Sequence, residues 1–229
     1  MKIILKAFRA VDEPLLCDLF LEGHGNVLKD YGVTNITSNT QKWMLNPSVY
    51  VIVAMYEAAT EVLGGIRVHL ADGIEMLPVE KAIGKIDPNI HKIVSSYMDD
   101  GVGELCALWN AKKIAGLGIS MLLTYAGISM TNQISCKTLM GIGSDHTMDM
   151  FAKVGFRVDR SLGNNGDFIY PNENYIARVL GILNSKDLST AEDYSREKML
   201  DLRNHPEQDC LEKTPKNYTV ELSYQLLLK

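Results

Sequence analysis

The stretch that most restricts this chain runs from residue 117 to 131, LGISMLLTYAGISMT, which is long enough for about four helical turns and has almost no polar face. A helix that is apolar all round has to be enclosed by its own fold. It is bracketed by two β-rich apolar runs, Glu104 to Asn110 before it and Ser135 to Ile142 after it. A buried helix between two buried strands points to a layered α/β fold with one continuous core.

The remaining segments extend that picture. Residues 2–8 read as a strand, and Asp12-Glu13-Pro14 opens a helix in which Asp12 suits the N-cap and Leu15, Leu16, Leu19 and Phe20 form the apolar stripe. A polar stretch from Thr34 to Gln41 leads into a short helix around Trp43, which Asn46-Pro47 ends. Val49 to Tyr56 and Val62 to Leu70 read as a hairpin turning at Glu57–Glu61, with Gly64-Gly65 marking a bulge or a close backbone approach. Residues 73–102 form an insertion whose best helix starts at Asp87-Pro88. Ser144 to Val154 reads as a helix, Gly155-Phe156-Arg157-Val158 as a return to strand, and Asn174 to Leu183 as another strand. A charged helix over 190–205 and a terminal strand over Thr219–Leu228 complete the order, with Val220, Leu222, Tyr224, Leu226 and Leu228 on one face. The division expected is one α/β domain over 1–184 and a helix-strand extension over 185–229 packed on it.

Composition serves mainly to exclude. Hydrophobic residues make up 46% and charged residues 22%, ordinary globular usage. Lys+Arg at 23 against Asp+Glu at 28 gives a net charge of −5, which argues against a nucleic-acid partner. No run approaches 20 apolar residues, so no membrane span is expected, and the charges in Met1-Lys2-Ile3-Ile4-Leu5-Lys6 come too early for a signal-peptide core. Cys17, Cys106, Cys136 and Cys210 are scattered, without metal-ligand spacing; they read as reduced thiols of a cytoplasmic protein that holds no metal.

The chemistry-bearing motif is Lys113-Ile114-Ala115-Gly116-Leu117-Gly118, between the first apolar strand and the enclosed helix. Glycines there allow a sharp turn and a close backbone approach, and the free N–H groups of the helix start, with its dipole behind them, suit a pyrophosphate. A dinucleotide fingerprint needs a glycine near Met121, and a Walker-type loop needs a Gly-Lys-Ser/Thr that is absent.

The pattern of strand, basic-x-x-Gly-x-Gly, helix, strand, short helix and Gly155-Phe156 resembles the GNAT superfamily of acyl-CoA-dependent N-acyltransferases. The likeness covers residues 2–160 and is most specific over 104–158. It implies a mixed, mostly antiparallel sheet flanked by helices, in which the fourth and fifth strands part and the pantetheine arm of an acyl-CoA fills the gap. On that likeness Leu108 and Asn110 offer backbone groups to the donor, the amides of Lys113, Ile114, Ala115, Gly116, Leu117 and Gly118 hold the diphosphate, and Ser144 opens the later helix. Lys113 replaces the family's Arg or Gln and loses its fork geometry. Phe151 stands where a tyrosine often serves as general acid, so no phenol at this position protonates the leaving thiolate.

Glu104 is the expected general base, because an ammonium cannot attack a thioester until a proton is removed. The plain alternative is a polar residue at a strand start. Cys106, on the same strand face, reads as a packed core thiol rather than an acyl acceptor, and Arg67 either orients a substrate carboxylate or is a solvated strand arginine. His69, His91 and His146 read as ordinary surface or core histidines, and the eleven methionines as core filler.

The long 73–102 segment, with Arg67 before Met76-Leu77-Pro78, resembles the layout of acyl-homoserine-lactone and N-acyl amino acid synthases. Those carry an Arg three residues after the Glu, where this chain has Ala107. Three functions are therefore expected in order: transfer of an acetyl or other acyl group from CoA to a small primary amine; an N-acyl synthase using an acyl carrier protein as donor; and a non-catalytic ligand-binding relative. The terminal strand is expected either to complete the sheet or to pair with a second subunit as a homodimer.

Overall fold

The structure is a computed structural model, and it describes residues 2–32, 41–57, 61–214 and 217–228. Most of the Thr34–Gln41 stretch and the centre of the Glu57–Glu61 turn lie outside the described residues. The elements are β1 (Lys2–Arg9), α1 (Pro14–Asp30), β2 (Val49–Tyr56), β3 (Val62–Leu70), α2 (Pro78–Ile83), α3 (Asn89–Ser96), β4 (Val102–Asn110) and α4 (Ile119–Met130). They continue with β5 (Thr138–Ser144), α5 (Met148–Lys153), β6 (Arg157–Val158), β7 (Asp167–Ile169), β8 (Ile176–Ile182), α6 (Asp193–Asn204), β9 (Glu207–Lys213) and β10 (Thr219–Gln225).

One sheet holds all the strands, in the order β6-β8-β5-β4-β3-β2-β1-β10-β9, with β7 added on β8. It is mostly antiparallel; β4–β5 and β1–β10 are the parallel pairs. On one face α4 and α6 pack over a core that includes Leu63, Leu105, Leu123 and Leu222. Ten of the twelve α4 residues are buried, as its apolar circumference requires. On the other face α1 and the turn at Lys42–Leu45 cover β2 and β3 through Phe20, Trp43 and Trp109. Phe20 meets both tryptophans edge-on, at centroid distances of 5.8 and 5.9 Å. The insertion contributes α2 and α3, which pack against β8 and Phe168 in a smaller core.

The C-terminal residues extend the same layers. β10 pairs with β1, β9 forms an outer edge, and Ser129 Oγ donates to the Met199 carbonyl where α4 meets α6.

Several boundaries differ from expectation for local reasons. Asp12 does not cap α1. Its carboxylate takes Arg9 Nε at 3.1 Å inside a 3-10 turn, and Pro14 supplies the first helical position. The buried stripe of α1 is Cys17, Phe20 and His24, while Leu15 points outward at 76% exposure. The helix expected from Ser144 begins at Met148, because β5 runs on to Ser144 and a 3-10 turn intervenes. The terminal strand stops at Gln225 rather than Leu228.

The expectation for Gly64-Gly65 holds in both respects. The β3–β4 register shifts beside Gly65. A Cβ on Gly65 would lie 2.5 Å from the Phe20 ring and 2.7 Å from the Ile52 carbonyl oxygen.

Candidate active site

β4 and β5 face one another only at Val102–Thr138, Gly103–Leu139 and Glu104–Met140. Beyond that point each strand keeps its other neighbour, β3 for β4 and β8 for β5, so the two diverge. The divergence starts where backbones crowd: a Cβ on Gly141 would be 3.2 Å from the Leu105 carbonyl oxygen. A cavity of about 280 Å³ opens in the gap, and its walls include His24, Glu104, Leu108, Ser144, Phe151 and Tyr170. The parting of the fourth and fifth strands is the geometry that the sequence resemblance implies.

A β-bulge shapes the β4 wall. Gly65 pairs with Trp109 and Arg67 with Cys106, so Ile66 alone faces both Ala107 and Leu108. Ala107 takes up the extra residue at φ +51, in the left-handed region. The bulge reverses the alternation: Leu105 and Leu108 both join the α4 side, while Cys106 faces away from it and Trp109 packs under α1. Asn110, at the strand end, accepts from Ser120 Oγ and so ties β4 to the first turn of α4.

Glu104 is fully buried. Its Oε2 accepts the Val79 N–H at 2.6 Å, a contact that brings the start of α2 onto the catalytic candidate; its Oε1 has no partner. Burial raises the carboxyl to about 8, against the opposing pull of the Val79 hydrogen bond and the Arg67 charge. A carboxyl with an affinity for protons near neutrality is suited to taking one from an amine.

Cys106 lines the same cavity as a protonated thiol, pushed by burial to about 12. Arg67 is 1% exposed and does not line the cavity. Its guanidinium stacks 4.3 Å from the Trp43 ring, and Nη2 donates to Cys106 Sγ at 3.6 Å. It is therefore neither a solvated strand arginine nor placed on the cavity wall to meet a substrate carboxylate.

The glycine loop has the expected backbone form. Gly116 and Gly118 adopt φ +83 and +74, and Gly118 caps α4. Ile114, Ala115 and Leu117 spend their N–H groups within the loop, on the carbonyls of Ala111, Lys112 and Ile114. Among the described residues, the N–H groups of Lys113, Gly116, Gly118, Ile119 and Ser120 meet no protein acceptor, so the anion-ready amides run from the loop into the helix start. Lys113 pairs with Glu61 and lies over Tyr56, and Lys112 pairs with Asp30 at 3.0 Å. Ile114 is a core side chain.

Ser144 lines the cavity, but its hydroxyl caps nothing; its carbonyl accepts from Thr147 Oγ1. Phe151 also lines it, edge-on to Phe156 at 5.3 Å. No group of metal-ligating side chains occurs among the described residues.

The sequence did not single out two buried histidines here: His24, which lines the cavity, and His69, which does not. His24 arrives because the α1 stripe continues one turn past Phe20, and its ring is tilted against that phenyl at 6.2 Å. His69 stands opposite Glu104 in the β3–β4 register. Helical spacing from Phe20 would have found the first; strand pairing, which the sequence does not state, was needed for the second.

No family model and no curated protein sequence matches this chain. Solved structures do. FeeM, an N-acyl amino acid synthase from uncultured soil microbes, aligns with a TM-score of 0.61 at 12% identity, over 82% of this chain and 94% of its own. BjaI, a CoA-dependent acyl-homoserine lactone synthase solved with SAM and isopentyl-CoA, gives 0.54 at 11%, over 88% and 90%. An acyl-CoA N-acyltransferase from Pseudomonas aeruginosa gives 0.55 at 10%, over 78% and 98%. At these identities the likeness is one of architecture, and the chain has the GNAT fold of acyl-CoA N-acyltransferases.

Proposed function

We propose that the protein transfers a short acyl group from an acyl-CoA to a small primary amine. The observation that carries this reading is the parting of β4 and β5 immediately after Glu104 and Met140, which leaves a cavity with a buried carboxyl among its lining residues. The fold likeness supports the donor class, and the free amides at the start of α4 suit its diphosphate.

The amine enters as an ammonium and gives a proton to Glu104. The nitrogen lone pair then forms a bond to the thioester carbonyl carbon, whose electrons move to oxygen. The bulged segment at Leu108 lies beside that carbonyl and stabilises the oxyanion through its amide. Collapse reforms the carbonyl and breaks the carbon–sulfur bond; the nitrogen's second proton passes through water to the departing thiolate, since Phe151 has none to give, and Glu104 returns its proton to solvent.

A cavity of about 280 Å³ is small for a thioester end, an acceptor and a long chain together, which favours a short acyl group over the carrier-protein reading. Calorimetric titration with acetyl-, butyryl-, octanoyl- and palmitoyl-CoA tests this. The expected order of affinity falls with chain length. Absence of binding by all four would remove the reading, and tightest binding by the longest would replace it with the synthase.

A further inference from the structure

The identity of the acceptor is written in the polar atoms of the cavity wall, given the acyl-transfer reading on which this inference rests. Two buried side-chain atoms of residues that line the cavity lack a hydrogen-bond partner, Oε1 of Glu104 and Nδ1 of His24. They come from different elements, β4 and α1, and both residues line the one cavity. Glu104 is 0% and His24 4% exposed. Buried polar atoms are almost always satisfied, so two orphans on residues of one cavity point to a ligand that completes the structure.

With Glu104 as the carboxylate, the form that turnover uses, both orphans suit a donor. Burial and the Arg67 charge hold His24 down to about 4, so the ring is neutral at neutral pH and does not repel a cation. With its proton on Nε2, the ring presents Nδ1 as an acceptor. A primary amine supplies N–H groups to both atoms and still has its lone pair for the thioester.

The rest of the wall excludes anions. Among the described residues, no lysine or arginine lines the cavity. The buried cation behind it, Arg67, is stacked on Trp43 and donates to Cys106. A carboxylate or phosphate on the acceptor would lose its water beside Glu104 and find no positive charge on the wall.

We propose that the acceptor is a compact primary amine carrying no carboxylate or phosphate, its nitrogen held between Glu104 Oε1 and His24 Nδ1. This departs from FeeM, whose name specifies amino acids.

The test is calorimetric titration of the full chain, with CoA present, using matched pairs that differ only by a carboxylate: tyramine and tyrosine, histamine and histidine, isopentylamine and leucine. At least one amine binds, and its carboxylated counterpart binds at least a hundredfold more weakly. His24→Leu weakens that amine tenfold or more and leaves CoA affinity unchanged, whereas His24→Gln, which keeps an acceptor, retains most of it. Equal or tighter binding of the amino acids overturns the proposal, as does silence from all three amines or an indifferent, folded His24→Leu. CoA binding with amino-acid preference would sink this proposal alone; amine binding without any affinity for CoA would sink the acyl-transfer reading and leave the amine site.

Discussion

His69 and Glu104 face each other across β3 and β4, both buried, with both ring nitrogens of the histidine and one carboxyl oxygen of the glutamate unpartnered. Burial moves them in opposite directions, the glutamate up to about 8 and the histidine down to about 4. Between those limits both are neutral, and the strand pair carries no net charge at this position. The pH behaviour of the protein follows from that opposition.

Turnover requires the carboxylate form of Glu104, so kcat/KM rises with pH and levels off above about 8. Glu104→Gln lowers kcat by about a hundredfold or more, the usual worth of a general base, with acyl-CoA affinity unchanged. Steady-state rates over pH 6 to 9.5 beside acyl-CoA titrations check both. A flat wild-type profile, or a variant of normal rate, would leave the carboxyl without a catalytic part.

The same group bears on stability. Its folded affinity for protons exceeds that of an unfolded glutamate, so the folded state binds more protons between about 4.5 and 8 and stability falls as pH rises through that window. Glu104→Gln removes that slope and is as stable as the wild type or more so at pH 9. Urea unfolding at pH 5, 7 and 9 measures it.

His24 and His69 give the reverse sign. Each is held down to about 4 from an ordinary 6.5, so the unfolded chain binds more protons and stability is lost as pH falls from about 6.5 to 4. His69→Gln should flatten the acid limb of the unfolding curve relative to the wild type. An unchanged limb would mean that His69 is protonated and paired in the folded state.

Cys106 lines the cavity as a thiol with a proton affinity near 12, too high for an acyl-accepting nucleophile. Cys106→Ser keeps at least a tenth of the wild-type rate, and mass spectrometry of the protein after acetyl-CoA shows no acyl adduct. A trapped adduct on Cys106 would establish a two-step route instead.

Gly118 caps α4 at φ +74, and its N–H is one of the amides free for an anion. Gly118→Val forces a branched side chain into a left-handed conformation at a cost of about 1–2 kcal/mol and displaces those amides. CoA affinity falls tenfold or more while the thermal transition stays cooperative. Undiminished binding would place the diphosphate elsewhere.

What the sequence disclosed and what it withheld divide along physical lines. The enclosed helix, the strand before it and the glycine loop were readable because each is local: periodicity, turn residues and apolar runs lie within about fifteen residues. The Gly64-Gly65 approach was readable because only glycine tolerates it. His69 was not paired with Glu104, because its meaning depends on which residue of another strand lies opposite. α2 was missed because six residues carry too little periodic signal, and β9, Glu207 to Lys213, because its charged, half-exposed face resembles a loop or helix end. For Arg67 the sequence left a substrate contact and a solvated surface both open, because the Trp43 ring that covers it comes from a distant turn.

The extra residue at Ala107 divides one strand into two instruments. Ahead of it, odd-numbered side chains serve the interior under α4; behind it, even-numbered ones do. Removing Ala107 would therefore not merely shorten β4. It would let Leu108 pair with Ile66 in unbroken alternation, leave Trp109 and Asn110 on their present faces, and take out the local bend that an inserted residue gives a strand.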